Sequence, residues 1–283
     1  MNPTEMNSTA ELARRDIEFS SRDFERVRAM IHSKAGINLN ASKQNMVYSR
    51  LARRLRDSGC ETFTSYLDRL ESSPAAEWQE FINCLTTNLT AFFREAHHFP
   101  ILAERLQEIA PRVGTIRVWC CAASTGEEPY SIAMTALEAL GSSARVSIDA
   151  SDIDTNVLET AERGAYAADT AKALGEARVR KFFLKGTGVN QGKVRVRPEL
   201  RKMIRFFQLN LLAGNWGLEP YDIVFCRNVM IYFDRPTQRR VLEGLHRSMK
   251  PGGLLMVGHS ENFTEHRDLF ELRGKTTYIR LGQ

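Results

Sequence analysis

The chain has 283 residues, 43% of them hydrophobic and 26% charged, with a net charge of +5. These are the proportions of a soluble globular protein with room for one large or two modest domains. No apolar run approaches the ~18 residues needed to span a membrane, and the polar, acid-bearing start, Met1 to Asp16, lacks a signal-peptide pattern.

The first third reads as helices. Ser20-Ser21 is positioned to cap a helix running to about Ala35, with Gly36 just past its end, and Phe24, Val27, Met30 and Ile31 make one apolar face. Asn40 or Ser42 starts a second helix ending near Ser58-Gly59, with Met46, Val47, Leu51 and Leu55 inward. Arg50, Arg53, Arg54 and Arg56 lie largely off that face. Further helical patterns cover Thr62 to Leu70 and Ala75 to Leu85, and no strand is expected before Ile116. From Arg26 to Arg56 the chain carries eight Lys and Arg residues and no acid. Such a block either attracts an anionic partner or forms a solvated helix face.

Beyond residue 115 the pattern alternates. Strands are expected at Ile116 to Ala122, Arg145 to Ala150, Ile204 to Leu209, Ile223 to Cys226, Leu254 to Gly258 and Thr276 to Leu281. Helices fall at Tyr130 to Leu140, Thr155 to Arg163 and Pro236 to Met249. Strand-helix alternation implies parallel strands covered on both faces. The last two strands are too close for a helical crossover, so an antiparallel edge is expected. Phe182 to Lys185 and Lys193 to Arg197, with glycines between them, read as an inserted hairpin. The five cysteines (Cys60, Cys84, Cys120, Cys121, Cys226) are odd in number and form no CxxC pair, which suggests reduced thiols. Cys120 and Cys121, adjacent on a strand, should face opposite sides.

The first strand ends in small residues, Ala122-Ala123-Ser124-Thr125-Gly126, followed by Glu127, Glu128 and a helix opened by Pro129. In an open α/β sheet, ligands sit beyond the carboxyl ends of the strands, where small residues let the backbone approach closely. Two carboxylates there repel a pyrophosphate, so a neutral or cationic ligand fits better. In Asp149-Ala150-Ser151-Asp152-Ile153-Asp154, Asp152 is the acid best placed for ribose hydroxyls, while Asp154 is also a helix-cap candidate. A ribose-bearing ligand with a cationic group and no phosphates describes S-adenosylmethionine.

Five stretches then carry a resemblance: TTNLTAFFREAHHFP (residues 86–100), AASTGEEPYSIA, ASDID, FCRNVMIYFD (residues 225–234) and GHSENF (residues 258–263). Together, in this order, they resemble the chemotaxis receptor methyltransferases of the CheR type, over residues from about 20 to the C-terminus. The resemblance implies an α/β fold: an all-α N-terminal domain, then a Rossmann-like class I S-adenosylmethionine methyltransferase domain with a small antiparallel β insert. The expected divisions are a flexible tail at 1–19, a helical recognition domain at 20–87 and a catalytic domain at 88–283, with the insert near 180–200. The resemblance further implies esterification of glutamate side chains on bacterial chemoreceptors, giving methyl esters and S-adenosylhomocysteine. Carried onto this chain, cofactor contacts fall on Asn88, Thr90, Arg94, Glu128, Asp152, Asn210, Leu211, Arg227 and Asn228. Gly186, Thr187 and Gly188 resemble the form of insert that grips a peptide tether at a receptor C-terminus. A cytoplasmic monomer recruited to membrane receptor arrays is expected.

A glutamate carboxylate is already nucleophilic at neutral pH, so positioning and desolvation are what such an enzyme must supply. Arg94, with a fork suited to carboxylates, and Tyr232, after the fourth strand, are the candidate catalytic residues. Arg94 would meet either the methionine carboxylate or the incoming glutamate; the plainer reading is an ion pair with Glu95 or Glu104. Tyr232 would orient the acceptor carboxylate or simply pack. Asp152 would hold the ribose, and Glu128 would meet the ligand's amino group or a neighbouring cation. Arg50, Arg53, Arg54 and Arg56 would dock an acidic receptor helix. His97, His98 and His259 lack metal-motif spacing and read as structural, so no metal is expected. The competing reading is a nucleic-acid methyltransferase that tracks phosphates with its basic helices. It lacks an Asn/Asp-Pro-Pro-Tyr/Phe motif after the fourth strand and has only Tyr48 among the basic residues for stacking.

Overall fold

The computed structural model describes residues 17–142 and 145–282. The tail expected over residues 1–19 lies, as far as residue 16, outside the described residues. The chain divides into a helical unit, up to Lys34 and from Asn38 to Leu85, and a larger unit of Ala35–Ile37 and Thr86–Gln283.

In the helical unit, α1 (Ser21–Ala35) opens with a reciprocal cap. The Asp23 N–H donates to Ser20 Oγ and the Ser20 N–H to Asp23 Oδ2, each at 3.1 Å. This satisfies orphan donors of the first turn. Phe24, Val27 and Ile31 are buried as their spacing requires, while Met30 is only half-buried. The second helix departs from expectation. Ser42 donates to the Asn40 side chain at 2.6 Å instead of capping, a 3-10 turn (Ala41–Lys43) intervenes, and α2 spans Gln44–Asp57. Next come α3 (Phe63–Glu71), held by a Thr62–Ser65 capping box, and α4 (Ala75–Leu85). Leu51 and Leu55 of α2 and Phe63, Tyr66 and Leu67 of α3 are buried.

The larger unit begins with α5 (His98–Ile109), which no sequence pattern announced. It continues through β1 (Ile116–Cys120), α6 (Glu127–Leu140), β2 (Val146–Asp152), α7 (Thr155–Arg163), β3 (Ala165–Ala167), α8 (Ala168–Ala171), α9 (Gly175–Phe182), β4 (Phe183–Lys185), β5 (Lys193–Val196), α10 (Pro198–Arg201), β6 (Ile204–Gln208), β7 (Tyr221–Cys226), α11 (Arg235–Arg247), β8 (Met249–Val257), β9 (Phe270–Gly274) and β10 (Thr277–Arg280). Seven of these strands form one sheet in the order β6-β2-β1-β7-β8-β10-β9. All its pairings are parallel except those of β10, which runs antiparallel to both neighbours. The antiparallel edge was expected; β9 was not. The insert is likewise larger than a hairpin, a three-stranded antiparallel sheet, β3-β5-β4.

The sheet separates two apolar layers. Val118 and Cys120 join the layer packed against α5 and α6, whereas Trp119 and Cys121 join the layer packed against α11. The two adjacent cysteines therefore do face opposite sides, and all five cysteines are free. Phe183, Val194 and Val196 anchor the insert to the first layer. Among the described residues, no helix is long and apolar enough to cross a membrane.

Candidate active site

The strand order reverses between β1 and β7, so the loops after β1, β2, β6 and β7 open at one switch point, where α/β sheets bind ligands. After β1 the chain must turn sharply into α6. Ser124 takes a left-handed φ of 48° and Gly126 one of 98°. The Ser124 N–H donates to Asp152 Oδ2 at 2.8 Å, and the Asp154 N–H to Asp152 Oδ1 at 3.0 Å. Asp152 is thus fixed by backbone donors at the end of β2. Burial nevertheless pushes its carboxyl up to about 6, against the lowering effect of those hydrogen bonds.

Asp154 caps α7 through the Asn156 and Val157 N–H groups and also accepts from Asn88 Nδ2 at 2.8 Å and Thr86 Oγ1 at 2.6 Å. Asn88 is therefore held beside the loop after β1, and its carbonyl accepts from Ser124 Oγ at 3.2 Å. Thr90 is half-buried in the same segment. Of the three acids near the end of β2, Asp149 is taken up by the fold, accepting from Tyr221 Oη at 2.6 Å and Arg205 Nε at 2.8 Å.

At the end of β7, Arg227 has a side chain 1% exposed. It donates to Glu128 and to the Arg94 carbonyl (2.6 Å) and lies 3.3 Å from Glu95. Its buried Nε has no hydrogen-bond partner among the described residues. Glu128 thus forms the ion pair that was one of its two readings, and Cys120 Sγ also donates to it at 3.3 Å. Arg94 pairs with neither Glu95 nor Glu104; its Nη1 donates to the Leu89 carbonyl at 2.6 Å. Asn228 has a left-handed φ of 58° and donates from Nδ2 to Glu95 at 3.2 Å. Tyr232 closes a 3-10 turn (Met230–Tyr232) and is half-buried against the second apolar layer. After β6, Leu211 is buried, and Asn210 Oδ1 accepts the Leu212 N–H at 2.9 Å.

Two acids that hold this site together were not singled out by the sequence reading. Glu95 accepts from Asn228 and from the His259 N–H and ring, each His259 contact at 3.1 Å. Burial opposes its ionisation, but the His259 hydrogen bonds and the Arg227 charge hold its carboxyl down at about 2. Glu261 is 4% exposed and accepts from four backbone N–H groups, those of Asn228, Val229, Met230 and Gly258, at 2.5–3.0 Å. It ties the loop after β7 to the end of β8. The available signal was its place in GHSENF, a stretch otherwise read only for resemblance. Phe93 and Glu95 are also left-handed, so with Ser124 and Asn228 four strained non-glycine residues cluster here. Each such conformation costs about 1–3 kcal/mol and persists only where its surroundings enforce it.

Glu95, His97 and His98 bring ligand-type atoms within 4.8 Å of one another, a proximity that motif spacing did not anticipate. Glu95 is already held by Arg227, Asn228 and His259. Burial and the Arg227 charge hold His98 down at about 4, and its Nε2 lies 2.9 Å from Thr276 Oγ1. The remaining sequence candidates lie elsewhere. Gly186, Thr187 and Gly188 form the turn between β4 and β5, where a Cβ on Gly186 would meet the Asn190 carbonyl oxygen at 2.1 Å. In the helical unit, Arg54 is clamped by Glu77 and Arg50 donates to the Leu85 carbonyl at 3.1 Å. Arg53 and Arg56 are exposed.

In sequence order the main sheet runs third, second, first, fourth, fifth, seventh, sixth, with only the seventh strand reversed. That is the Rossmann-like class I methyltransferase arrangement, and residues 88–279 match the family domain described as "CheR methyltransferase, SAM binding domain". Residues 22–86 match "CheR methyltransferase, all-alpha domain". The chain is 54% identical over 275 residues to the chemotaxis protein methyltransferase of Klebsiella aerogenes, covering 96% of this chain and 93% of the relative. It is 51% identical over 265 residues to that of Escherichia coli (93% and 92%) and 48% identical over 265 residues to chemotaxis protein methyltransferase 2 of Pseudomonas aeruginosa (93% and 94%). The chain belongs to the CheR methyltransferase family. It is an S-adenosylmethionine-dependent methyltransferase of chemotaxis. The site fits this cofactor: small residues at a close backbone approach, a backbone-anchored acid after β2, and a buried arginine Nε without a partner.

Proposed function

We propose that this enzyme methylates glutamate side-chain carboxylates of bacterial chemoreceptors, forming methyl esters and S-adenosylhomocysteine. The observation that carries this reading is the contrast between two arginines. Arg227 is neutralised by Glu128 and Glu95, whereas among the described residues no carboxylate pairs with Arg94. Arg94 is half-buried, its backbone carbonyl is bound by Arg227 at the end of β7, and a guanidinium without an internal counter-ion suits an incoming carboxylate.

When bound, S-adenosylmethionine supplies an electrophilic methyl group on a sulfonium. Asp152 would accept from the ribose, and Asn88, Thr90, Arg94, Glu128, Asn210, Leu211, Arg227 and Asn228 would complete the cofactor's surroundings. The acceptor's carboxylate oxygen would take that methyl group by forming a C–O bond, with the S–C electron pair left on sulfur. The reaction needs no proton removed, so Arg94 and Tyr232 serve by orienting the acceptor and excluding water. Arg53 and Arg56, exposed on α2, would dock an acidic cytoplasmic helix of the receptor. Arg50 and Arg54, grouped with them by sequence, have internal partners that occupy part of their donor capacity. The free edge of β4, with the Gly186-Thr187-Gly188 turn, would take a receptor's C-terminal peptide by strand addition. The enzyme would then work in the cytoplasm at receptor arrays.

Peptide mapping of a chemoreceptor after incubation with the enzyme and cofactor tests this. One added methyl group on glutamate side chains is the expected result. Methyl groups on lysines, on chain termini or on RNA instead would overturn the proposal.

A further inference from the structure

A tyrosine of the insert sheet touches the loop after β1. Tyr166, the middle residue of β3, is 7% exposed, and its hydroxyl donates to the Thr125 carbonyl at 2.7 Å. Thr125 lies between the two left-handed residues of the loop, Ser124 and Gly126. The same hydroxyl closes over Gly126, where an added Cβ would lie 2.9 Å from it and 2.8 Å from the Ala161 Cβ. Gly126 is thus required twice, by its φ and by the approach of this phenol. The Tyr166 ring is fixed edge-on by Phe92 at 5.1 Å and by Tyr130 at 6.3 Å. Phe92 in turn meets Phe183, the first residue of β4, at 5.5 Å.

We propose that Tyr166 is a positioning residue that holds the Ala122-to-Gly126 loop in its cofactor-binding conformation. The loop's amide face is already tied by the Ser124 N–H to Asp152. Tyr166 ties its next carbonyl, so the two hydrogen bonds hold the strained turn at adjacent residues, Ser124 and Thr125. Burial keeps the phenol protonated and hence a donor. An insert that otherwise reads as decoration on the sheet therefore becomes part of the cofactor site. Through Phe92 and Phe183, the edge strand β4 packs against the same anchor.

The proposal rests on the reading that this loop binds the cofactor, and two substitutions separate the claims. Affinity for S-adenosylmethionine is measured by calorimetry on the full chain, on Tyr166→Phe and on Asp152→Ala, with steady-state kinetics alongside. Phenylalanine keeps the ring contacts and removes only the hydroxyl; a melt of the cofactor-free variant checks that the fold is retained. Losing a donor to a buried carbonyl should weaken cofactor binding about three- to tenfold. The KM for the cofactor should rise in step, with kcat at saturating cofactor within about twofold. Unchanged affinity in Tyr166→Phe, with Asp152→Ala weakened, would overturn the role of Tyr166 and leave the site reading standing. Unchanged affinity in Asp152→Ala would overturn the site reading, and this proposal with it.

Discussion

With Asp152 as the proposed ribose acceptor, a pH dependence of cofactor binding follows. Burial raises its carboxyl to about 6, so near neutral pH it is ionised and able to accept from ribose hydroxyls. As pH falls through about 6 the carboxyl gains a proton and loses acceptor capacity. Affinity for S-adenosylmethionine should then decline, approaching about tenfold per pH unit below the midpoint. Titration calorimetry between pH 5 and pH 8 checks this, and Asp152→Asn should flatten the profile. Glu95 is the opposite case. Its partners hold it near 2, so it stays ionised across that range and adds nothing to the slope. Sequence picked out Asp152 because strand-end acids have a position that chemistry can interpret. It gave Glu95 no role beyond a counter-ion for Arg94, because the partners of Glu95 come from residues 227, 228 and 259, which only the folded sheet brings together.

The loops after β7 and β8 share the Glu261 carboxylate as acceptor for their backbone N–H groups. Glu261 Oε1 takes the N–H groups of Val229 and Met230, and Oε2 those of Asn228 and Gly258. Glu261→Gln keeps one acceptor oxygen and turns an NH2 group toward two of the four donors. The substitution should cost about 2–3 kcal/mol in denaturant unfolding and also weaken catalysis, because Asn228 loses its support. The elements that sequence missed have physical reasons. In α5, Pro100 reads as a breaker, yet it falls in the first turn, where its missing N–H costs nothing. In β9, only Phe270 is buried, so no alternation appears. Three-residue β3 is one tyrosine between two alanines, Ala165-Tyr166-Ala167, and joins a sheet through residues 193–195. Lys250-Pro251-Gly252-Gly253 reads as a turn but runs within β8 as an irregularity, where the pairing jumps from Tyr221↔Met249 to Ile223↔Leu254. The central strands were legible because both their faces are buried.

Across the whole molecule, charge is distributed between fold and function. The block from Arg26 to Arg56 reads as one basic surface, but the structure neutralises much of it internally. Arg26 pairs with Asp68 and Glu71, Arg28 with Glu25, and Arg54 with Glu77. Arg53 and Arg56 remain exposed, and Asp57 approaches the 87%-exposed Arg53 at 4.0 Å. Reversing both to Glu should therefore slow receptor methylation about tenfold or more at low ionic strength while cofactor affinity stays unchanged. Rates matching the unaltered enzyme at low salt would remove α2 as a docking surface. On the proposed function methyl groups pass to receptor carboxylates, and the bond formed identifies the acceptor. The enzyme is incubated with methyl-labelled S-adenosylmethionine and chemoreceptor-bearing membranes, with tRNA in a parallel tube; the products are treated with alkali and the volatile methanol is counted. Label released as methanol from the membrane protein is the predicted result, because only an ester is that labile. Alkali-stable label, on the membrane protein or on the tRNA, would contradict it.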